Sequence, residues 1–343
     1  MKALVTGGSG YFGSLLINKL IENGWEVGSL DINKVTDLPK HVSFHEQDIR
    51  DVNGLKKCLV GYDVVFHNVA QVPLAKDRKL FWDVNVEGTR NLCKAAIEIG
   101  LKNIVYTSSS AVFGVPKKNP VTEKTIPNPR EAYGRAKLEG ERICAEYAKQ
   151  GLNITIIRPR TILGHGRLGI FQILFEWISK GINIPVLDGG ENIYQFVHAS
   201  DLANVIIKAS RLSKSETYNI GTSIYGSIRE SLEALCEHAK TGSRIYSLPM
   251  KPIQMLMNIT SVLGLSPLGP YHSLMYGRSM YFDISKAQNE LGFYPTYSNI
   301  DMFIESYDWY IRNRDIILHG NKDMSHHRSR LNEGVLKIFK WVS

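Results

Sequence analysis

Thr6-Gly7-Gly8-Ser9-Gly10-Tyr11-Phe12-Gly13 decides how this chain folds. The stretch follows an apolar run, Ala3-Leu4-Val5, and opens a segment with apolar residues at Leu15, Leu16, Ile17, Leu20 and Ile21. Strand, glycine turn and helix therefore arrive in the order a dinucleotide-binding unit needs. Gly7, Gly10 and Gly13 let the backbone turn tightly and approach a pyrophosphate. The helix that follows, through Tyr11 and Phe12, offers that anion its free N–H groups and the positive end of its dipole. A glycine loop alone is often only a turn. Here a second signature lies further on: Tyr133-Gly134-Arg135-Ala136-Lys137, with Ser108-Ser109-Ser110 upstream of it.

Outward from the loop, strand and helix patterns alternate. Apolar runs at Ala3–Val5, Val27–Leu30, Val42–Phe44, Val64–Phe66, Ile104–Tyr106 and Ile154–Ile157 read as parallel strands. Leu55–Leu59, Asn85–Ile99 and Ala132–Lys149 carry helical periodicity between them. The alternation predicts an α/β fold, a doubly wound parallel sheet with helices on both faces, over residues 1–160. Beyond Thr161 the pattern becomes irregular. Helical stretches at Phe171–Ile178, Leu202–Ala209 and Ile228–Ala239 predict a smaller C-terminal substrate lobe over 161–320. Phe196-Val197-His198 and Tyr218-Asn219-Ile220, within about 194–222, read as strands returning to the main sheet.

The composition is that of a soluble enzyme: 343 residues, 43% hydrophobic and 22% charged. No run approaches the roughly 18 apolar residues of a membrane span. Met1-Lys2 leads straight into the first strand, which leaves no room for a signal peptide. Cys58, Cys93, Cys144 and Cys236 are widely spaced and lack metal-ligand spacing, so no metal site is expected. They read as reduced thiols of a cytoplasmic protein. A formal net charge of +8 suits an anionic small-molecule substrate or an anionic membrane surface. No nucleic-acid module accompanies it, so nucleic-acid binding is not expected.

Asp31 ends the second strand. A carboxylate there can accept hydrogen bonds from both ribose hydroxyls of NAD and repel the extra phosphate of NADP. Its plain alternative is a solvated turn aspartate. Asp48-Ile49 after the third strand can meet the adenine edge, or Asp48 can simply start the next helix. Val69 and Ala70 follow the fourth strand, where small residues let a cofactor pass. Asn85 reads as a structural mid-helix amide bonded to the adjacent strand.

Tyr133 and Lys137 are four apart on a helical pattern and share a face. A lysine ammonium beside a phenol favours the phenolate and lowers its pKa from about 10. The tyrosine can then take a hydroxyl proton as hydride leaves the carbon. Ser109, after the fifth strand, can polarise the same oxygen.

With these residues in view, the chain resembles the extended branch of the short-chain dehydrogenase/reductase superfamily, the NAD-dependent epimerase/dehydratase group. The spacing TGGxGxxG at Thr6–Gly13 and YxxxK at Tyr133–Lys137 carry the resemblance. So do Asn85-Val86-Glu87-Gly88-Thr89, Val105–Gly114, Arg158-Pro159, Phe196–Ala203 and Lys286–Gly292. It extends to about Tyr310. It implies a Rossmann-like fold, bound NAD touching Pro159 as well as the residues above, and a nucleotide sugar as substrate. It also implies a homodimer through the helices near Asn85–Ile99 and Ala132–Lys149. In epimerases of this group a hydroxyl is oxidised, the ketone turns over, and the hydride returns to its other face. In 4,6-dehydratases an Asp and a Glu follow the catalytic Ser/Thr. Here those positions are Ser110 and Ala111, which speaks against dehydration. Ser110, Arg160, Arg167 and Arg278 are candidates for substrate contacts, the arginines because a guanidinium grips phosphate oxygens bidentately. Each can equally be a surface arginine.

Two other readings use the same fold. Pro252–Leu265 resembles the apolar lobe helix of 3β-hydroxysteroid dehydrogenases, which suggests a steroid-type or isoprenoid alcohol dehydrogenase; its plain alternative is lobe core. A non-catalytic NAD-sensing binder is the third, opposed by the intact Ser109, Tyr133 and Lys137. In the basic tail, 321–343, Leu331, Val335, Ile338 and Val342 share a helical face flanked by Lys337 and Lys340. That face suits docking on the protein's own core, or peripheral contact with an anionic membrane.

Overall fold

A computed structural model describes residues 1–35, 37–71, 78–164, 166–255 and 275–319. The N-terminal alternation folds as expected. Strands β1 (Lys2–Thr6), β2 (Glu26–Asp31), β3 (Ser43–Glu46), β4 (Val64–His67), β5 (Asn103–Thr107) and β6 (Asn153–Pro159) join one parallel sheet. Between them run α1 (Tyr11–Glu22), α2 (Val52–Leu59), α3 (Arg78–Trp82), α4 (Gly88–Glu98) and α5 (Ala132–Ala148). The strand order is β11-β6-β5-β4-β1-β2-β3, with β11 (Thr217–Ile220) at the edge beside β6. The order reverses between β1 and β4, where such sheets open a ligand crevice at their carboxyl ends.

Both faces of the sheet are buried, which is why its strands read as continuous apolar runs. Ala3 and Val5 pack on one side with Leu16, Ile17 and Val105. Leu4, between them, points to the other side, with Leu55, Val65 and Leu92. A separate aromatic core fills the lobe, where Phe171 and Phe196 meet Phe303 edge-on.

The lobe adds β7 (Thr161–Leu163), α6 (Phe171–Ser179), β8 (Ile184–Leu187), β9 (Ile193–Tyr194), β10 (Phe196–His198) and α7 (Ala199–Ala209). After β11 come β12 (Gly226–Ser227), α8 (Ile228–Ala239), β13 (Ile245–Leu248), α9 (Ser285–Leu291) and α10 (Asn299–His319). One expectation is corrected here. Tyr218–Ile220 does return to the main sheet, but Phe196–His198 pairs with β7 in a parallel two-stranded ribbon. The ribbon packs Phe196 into the lobe core and leaves β11 to close the sheet edge. A second difference is local. The helix expected from Asn85 begins as a π-turn, Asp83–Glu87, before continuing as α4.

No described helix is long and apolar enough to cross a membrane, and no group of three or more His, Cys, Asp or Glu among the described residues is placed to hold a metal. The tail at 321–343, and the lobe helix at 252–265 beyond residue 255, lie outside the described residues.

Candidate active site

The glycine turn sits at the carboxyl end of β1, held by the Gly7 N–H on the Leu30 carbonyl at 2.8 Å and the Gly10 N–H on the Gly7 carbonyl at 3.0 Å. Gly7 adopts φ +70°, a left-handed conformation that favours glycine. A Cβ on Gly13 would lie 2.1 Å from the Gly7 oxygen, so only glycine lets α1 start this close to the strand. No side chain caps α1 at Gly10, which leaves its first N–H groups to an anion. A Cβ on Gly7 would meet the Asn68 and Val69 backbone, so Val69, with Ala70 following it in the chain, borders the same cradle. Asn85 pins that border. Its amide brackets Gln71, accepting from the Gln71 N–H at 2.9 Å and donating to the Gln71 carbonyl at 3.2 Å.

Asp31 lies beside the turn and accepts the Ser9 N–H at 3.1 Å and the Ile32 N–H at 2.8 Å. Burial raises its pKa, opposed by these backbone bonds. Asp48 is tied to Arg50 by a guanidinium pair reaching 2.5 Å, which holds its carboxyl below the usual range. The helix-start reading for Asp48 is corrected: Asp51 caps α2, accepting the Asn53 N–H. Ile49 buries its side chain in the core beside Gly88. Pro159 ends β6, level with Ile220.

Ser109 leads into the short 3-10 turn at Ser110–Phe113, its Oγ accepting the Ala111 N–H at 3.1 Å. Its hydroxyl also acts on the Tyr133 phenol, opposing the rise of that group's pKa. Tyr133 is the second residue of α5, and Glu131 caps that helix on the Tyr133 and Gly134 N–H groups at 2.7 and 2.6 Å.

The expected electrostatics of the phenol need correction. Burial pushes the Tyr133 pKa up, opposed first by the Ser109 hydrogen bond and then by the charge of Arg167. Lys137 has a backbone partner of its own. Its ammonium is buried, donates to the Thr107 carbonyl at 2.8 Å and lies 5.0 Å from the Tyr106 ring centroid. Burial lowers Lys137 to about 8, opposed by neighbouring Cys144 and Glu141. The shared helix face was read correctly, but the carbonyl end of β5 takes the ammonium.

Arg167 instead joins the two halves of the site. Its guanidinium lies 5.6 Å from the Tyr11 ring, and its charge acts on both Tyr11 and Tyr133. The Tyr11 hydroxyl donates to the Gly164 carbonyl at 2.5 Å, crossing from α1 to the segment that carries Arg167. Phe12 packs alongside, between the main core and Tyr11. Arg160 is fully buried and donates to Ser110 Oγ at 3.0 Å. Arg278 is placed apart from these, in the lobe next to the Ser279–Met280 stretch that bonds Ile193.

Several supporting residues escaped the sequence reading. Glu141 accepts Ser108 Oγ at 2.6 Å and Arg158 Nε at 2.8 Å, locking the strand end that carries Ser109. Its signal was present, since Tyr133, Lys137 and Glu141 are spaced by four on one helix. His67 bridges Thr6 Oγ1 at 2.8 Å and Thr89 Oγ1 at 3.1 Å. Burial drives its pKa down to about 3, so it serves as a neutral hydrogen-bonding link between β1 and α4.

This arrangement can bind an extended anionic cofactor at the crevice and hold a hydroxyl-bearing substrate against the Ser109–Tyr133 pair. The chain is similar in sequence and shape to known proteins. The uncharacterized protein y4nG of Sinorhizobium fredii is 53% identical over 341 residues, 99% of this chain and 86% of that protein. A UDP-glucose 4-epimerase of Lactobacillus helveticus is 37% identical over 169 residues, 46% of this chain. The match spans about half, 51%, of that relative's length. The crystal structure of a UDP-glucuronic acid 4-epimerase from Bacillus cereus, in complex with NAD, superposes with a TM-score of 0.74 at 25% identity, covering 91% of this chain and 99% of that one. The model of the NAD dependent epimerase/dehydratase family matches residues 3–221, more than half of the sequence, and the chain belongs to that family.

Proposed function

We propose that the protein is a nucleotide-sugar epimerase that retains its NAD, with Tyr133 as the base toward a sugar hydroxyl. One observation supports the reading: the Arg167 guanidinium lies 5.6 Å from the Tyr11 ring of the glycine cradle while its charge opposes the burial-driven rise of the Tyr133 pKa, which links the cradle to the catalytic pair. The residues fit NAD. The Gly7–Gly13 cradle leaves room for a pyrophosphate, and Asp31 stands where ribose hydroxyls can donate to it. NAD, when bound, supplies the hydride acceptor and donor of this family's chemistry.

The chain's own residues do the rest. Ser109 donates a hydrogen bond toward the developing alkoxide while Tyr133, as the phenolate, takes the hydroxyl proton and becomes the neutral phenol. The charge of Arg167 favours that starting phenolate. Lys137, held on the Thr107 carbonyl, anchors the helix that carries Tyr133 to the end of β5. The 4,6-dehydratase reaction is excluded from the proposal because Ser110 is engaged by Arg160 and Ala111 has no acid to offer.

The four cysteines are free thiols, which suits the cytoplasm. The same reading includes a homodimer through α4 and α5, measurable by sedimentation.

The test incubates purified protein with single nucleotide hexoses and analyses the products. Epimer formation with no net change in 340-nm absorbance supports the proposal, as does its loss in Tyr133→Phe with NAD still bound. Net accumulation of reduced dinucleotide would identify an alcohol dehydrogenase instead. A 4-keto-6-deoxy product by mass spectrometry would refute the role given to Ser110 and Ala111.

A further inference from the structure

Helices are usually capped by Ser, Thr, Asp or Asn, whose short side chains satisfy one free N–H. The helix that carries Tyr133 is capped by a glutamate. One oxygen of Glu131, Oε2, accepts the Tyr133 N–H at 2.7 Å, and the other, Oε1, accepts the Gly134 N–H at 2.6 Å. Both oxygens receive donors, the arrangement of a carboxylate rather than of an acid with its own proton to donate. The positive end of the α5 dipole favours the same charge. Gly134 makes room for it. A Cβ there would lie 2.4 Å from the Ala111 carbonyl oxygen and 2.7 Å from Glu131 Oε1. Cap, helix start and the turn that follows Ser109 are therefore packed on one glycine. Glu131 is 9% exposed, so water screens its charge poorly. Arg135, one turn on, favours that charge but donates to the Arg130 carbonyl at 3.1 Å.

The phenol two residues after the cap meets groups from several elements. Ser109 from the 3-10 turn and Arg167 from the lobe favour the phenolate, and Glu131 acts against it. Tyr106 of β5 faces it from the sheet, and Tyr11 of α1 lies beside Arg167. Lys137, on the same helix, is held by the Thr107 carbonyl. Glu131 and Arg167 thus bear on Tyr133 in opposite senses.

We propose that Glu131 is a positioning residue for the Tyr133 base: its two oxygens fix the first turn of α5, and its negative charge opposes that of Arg167 at the phenol. This rests on the reading of Tyr133 as the base. Cap and charge can be separated chemically. A neutral cap would hold the helix and let the phenol ionise at lower pH, because a neighbouring anion disfavours the phenolate.

The test follows the phenol itself by NMR, in NAD-loaded protein isotopically labelled at tyrosine Cζ, with the Tyr133 signal identified by its loss in Tyr133→Phe. Glu131→Gln and Glu131→Ser both remove the charge, and serine is a good cap. Each should move the Tyr133 titration to lower pH, and either carries the test if the other fails to fold. Glu131→Asp keeps a charge and a capping oxygen and should titrate close to the wild type. The pH profile of kcat/KM, with whichever nucleotide hexose the protein epimerises, should shift in the same order. A purely structural cap would lower melting temperatures and leave the titration in place, so an unmoved phenol in the neutral variants overturns the proposal. An equal shift in Glu131→Asp also overturns it, because lost reach rather than lost charge then moves the phenol. If the phenol titrates as expected and no nucleotide hexose is epimerised, the charge balance at Tyr133 stands and the epimerase reading falls.

Discussion

Replacing Glu141 by alanine should be among the most damaging single changes near the site. Its carboxylate and the Arg158 guanidinium have side chains only 6% and 9% exposed, so water cannot replace the lost partner. The change removes two charged bonds to Arg158 and the acceptor of Ser108 Oγ. It also strands Arg158, one of whose terminal nitrogens already lacks a partner. Breaking a buried pair from one side costs about 3–5 kcal/mol. At about 2 °C per kcal/mol for a chain of this size, the melting temperature should fall by roughly 6–10 °C. Removing both charges is different. Glu141→Met with Arg158→Met leaves no orphaned ion, and such replacements are often neutral or better. Thermal and urea unfolding of the wild type, Glu141→Met, Arg158→Met and the double variant complete the cycle, with Glu141→Ala measured beside them. A loss below about 1 kcal/mol in Glu141→Ala, or a double variant no more stable than that single one, would refute this account of the pair. Glu141 also helps keep Lys137 protonated, so its removal should move the Lys137 pKa further below about 8.

Gly13→Ala should disrupt the cradle, since its Cβ would meet backbone atoms of Gly7 and Gly8 that cannot swing aside; overpacking costs about 1–3 kcal/mol, and unchanged NAD titration would rule out this placement of the turn. NAD should bind more tightly than NADP because the Asp31 carboxylate, beside the glycine turn, would repel the extra phosphate; equal dissociation constants at one ionic strength would mean that it points elsewhere. Arg167→Gln removes a cation that lowers the Tyr133 pKa, so the phenol titrates at higher pH and the alkaline rise of kcat/KM should move upward; an unshifted pH profile would free Arg167 of that role.

What could be read ahead was what local chemistry dictates. The glycine turn, the parallel strands and the spacing of Tyr133 and Lys137 follow from φ, from both-face burial and from helical periodicity. Strand partners were harder. Phe196–His198 has the same apolar look as a sheet strand, and only the aromatic lobe core decides that it pairs with Thr161–Leu163. Side-chain targets were hardest of all. Nothing within Tyr133–Lys137 reveals that the Thr107 carbonyl, on another strand, captures the ammonium. Nor does Arg160 differ in sequence from a solvated arginine until Tyr194 and Phe282 close around it.

The Tyr11 hydroxyl on the Gly164 carbonyl has an effect beyond its own bond. Tyr11 opens α1 directly after the glycine turn, and Gly164 lies three residues before Arg167. A displacement of the turn is thereby handed to the arginine across one aromatic ring. On the proposed function, dinucleotide and sugar would share a mechanical linkage through it, and linkage is reciprocal: whatever factor one ligand imposes on the affinity of the other, it receives in return. Tyr11→Phe would keep the ring and cut the strut, leaving two ligands that no longer sense each other.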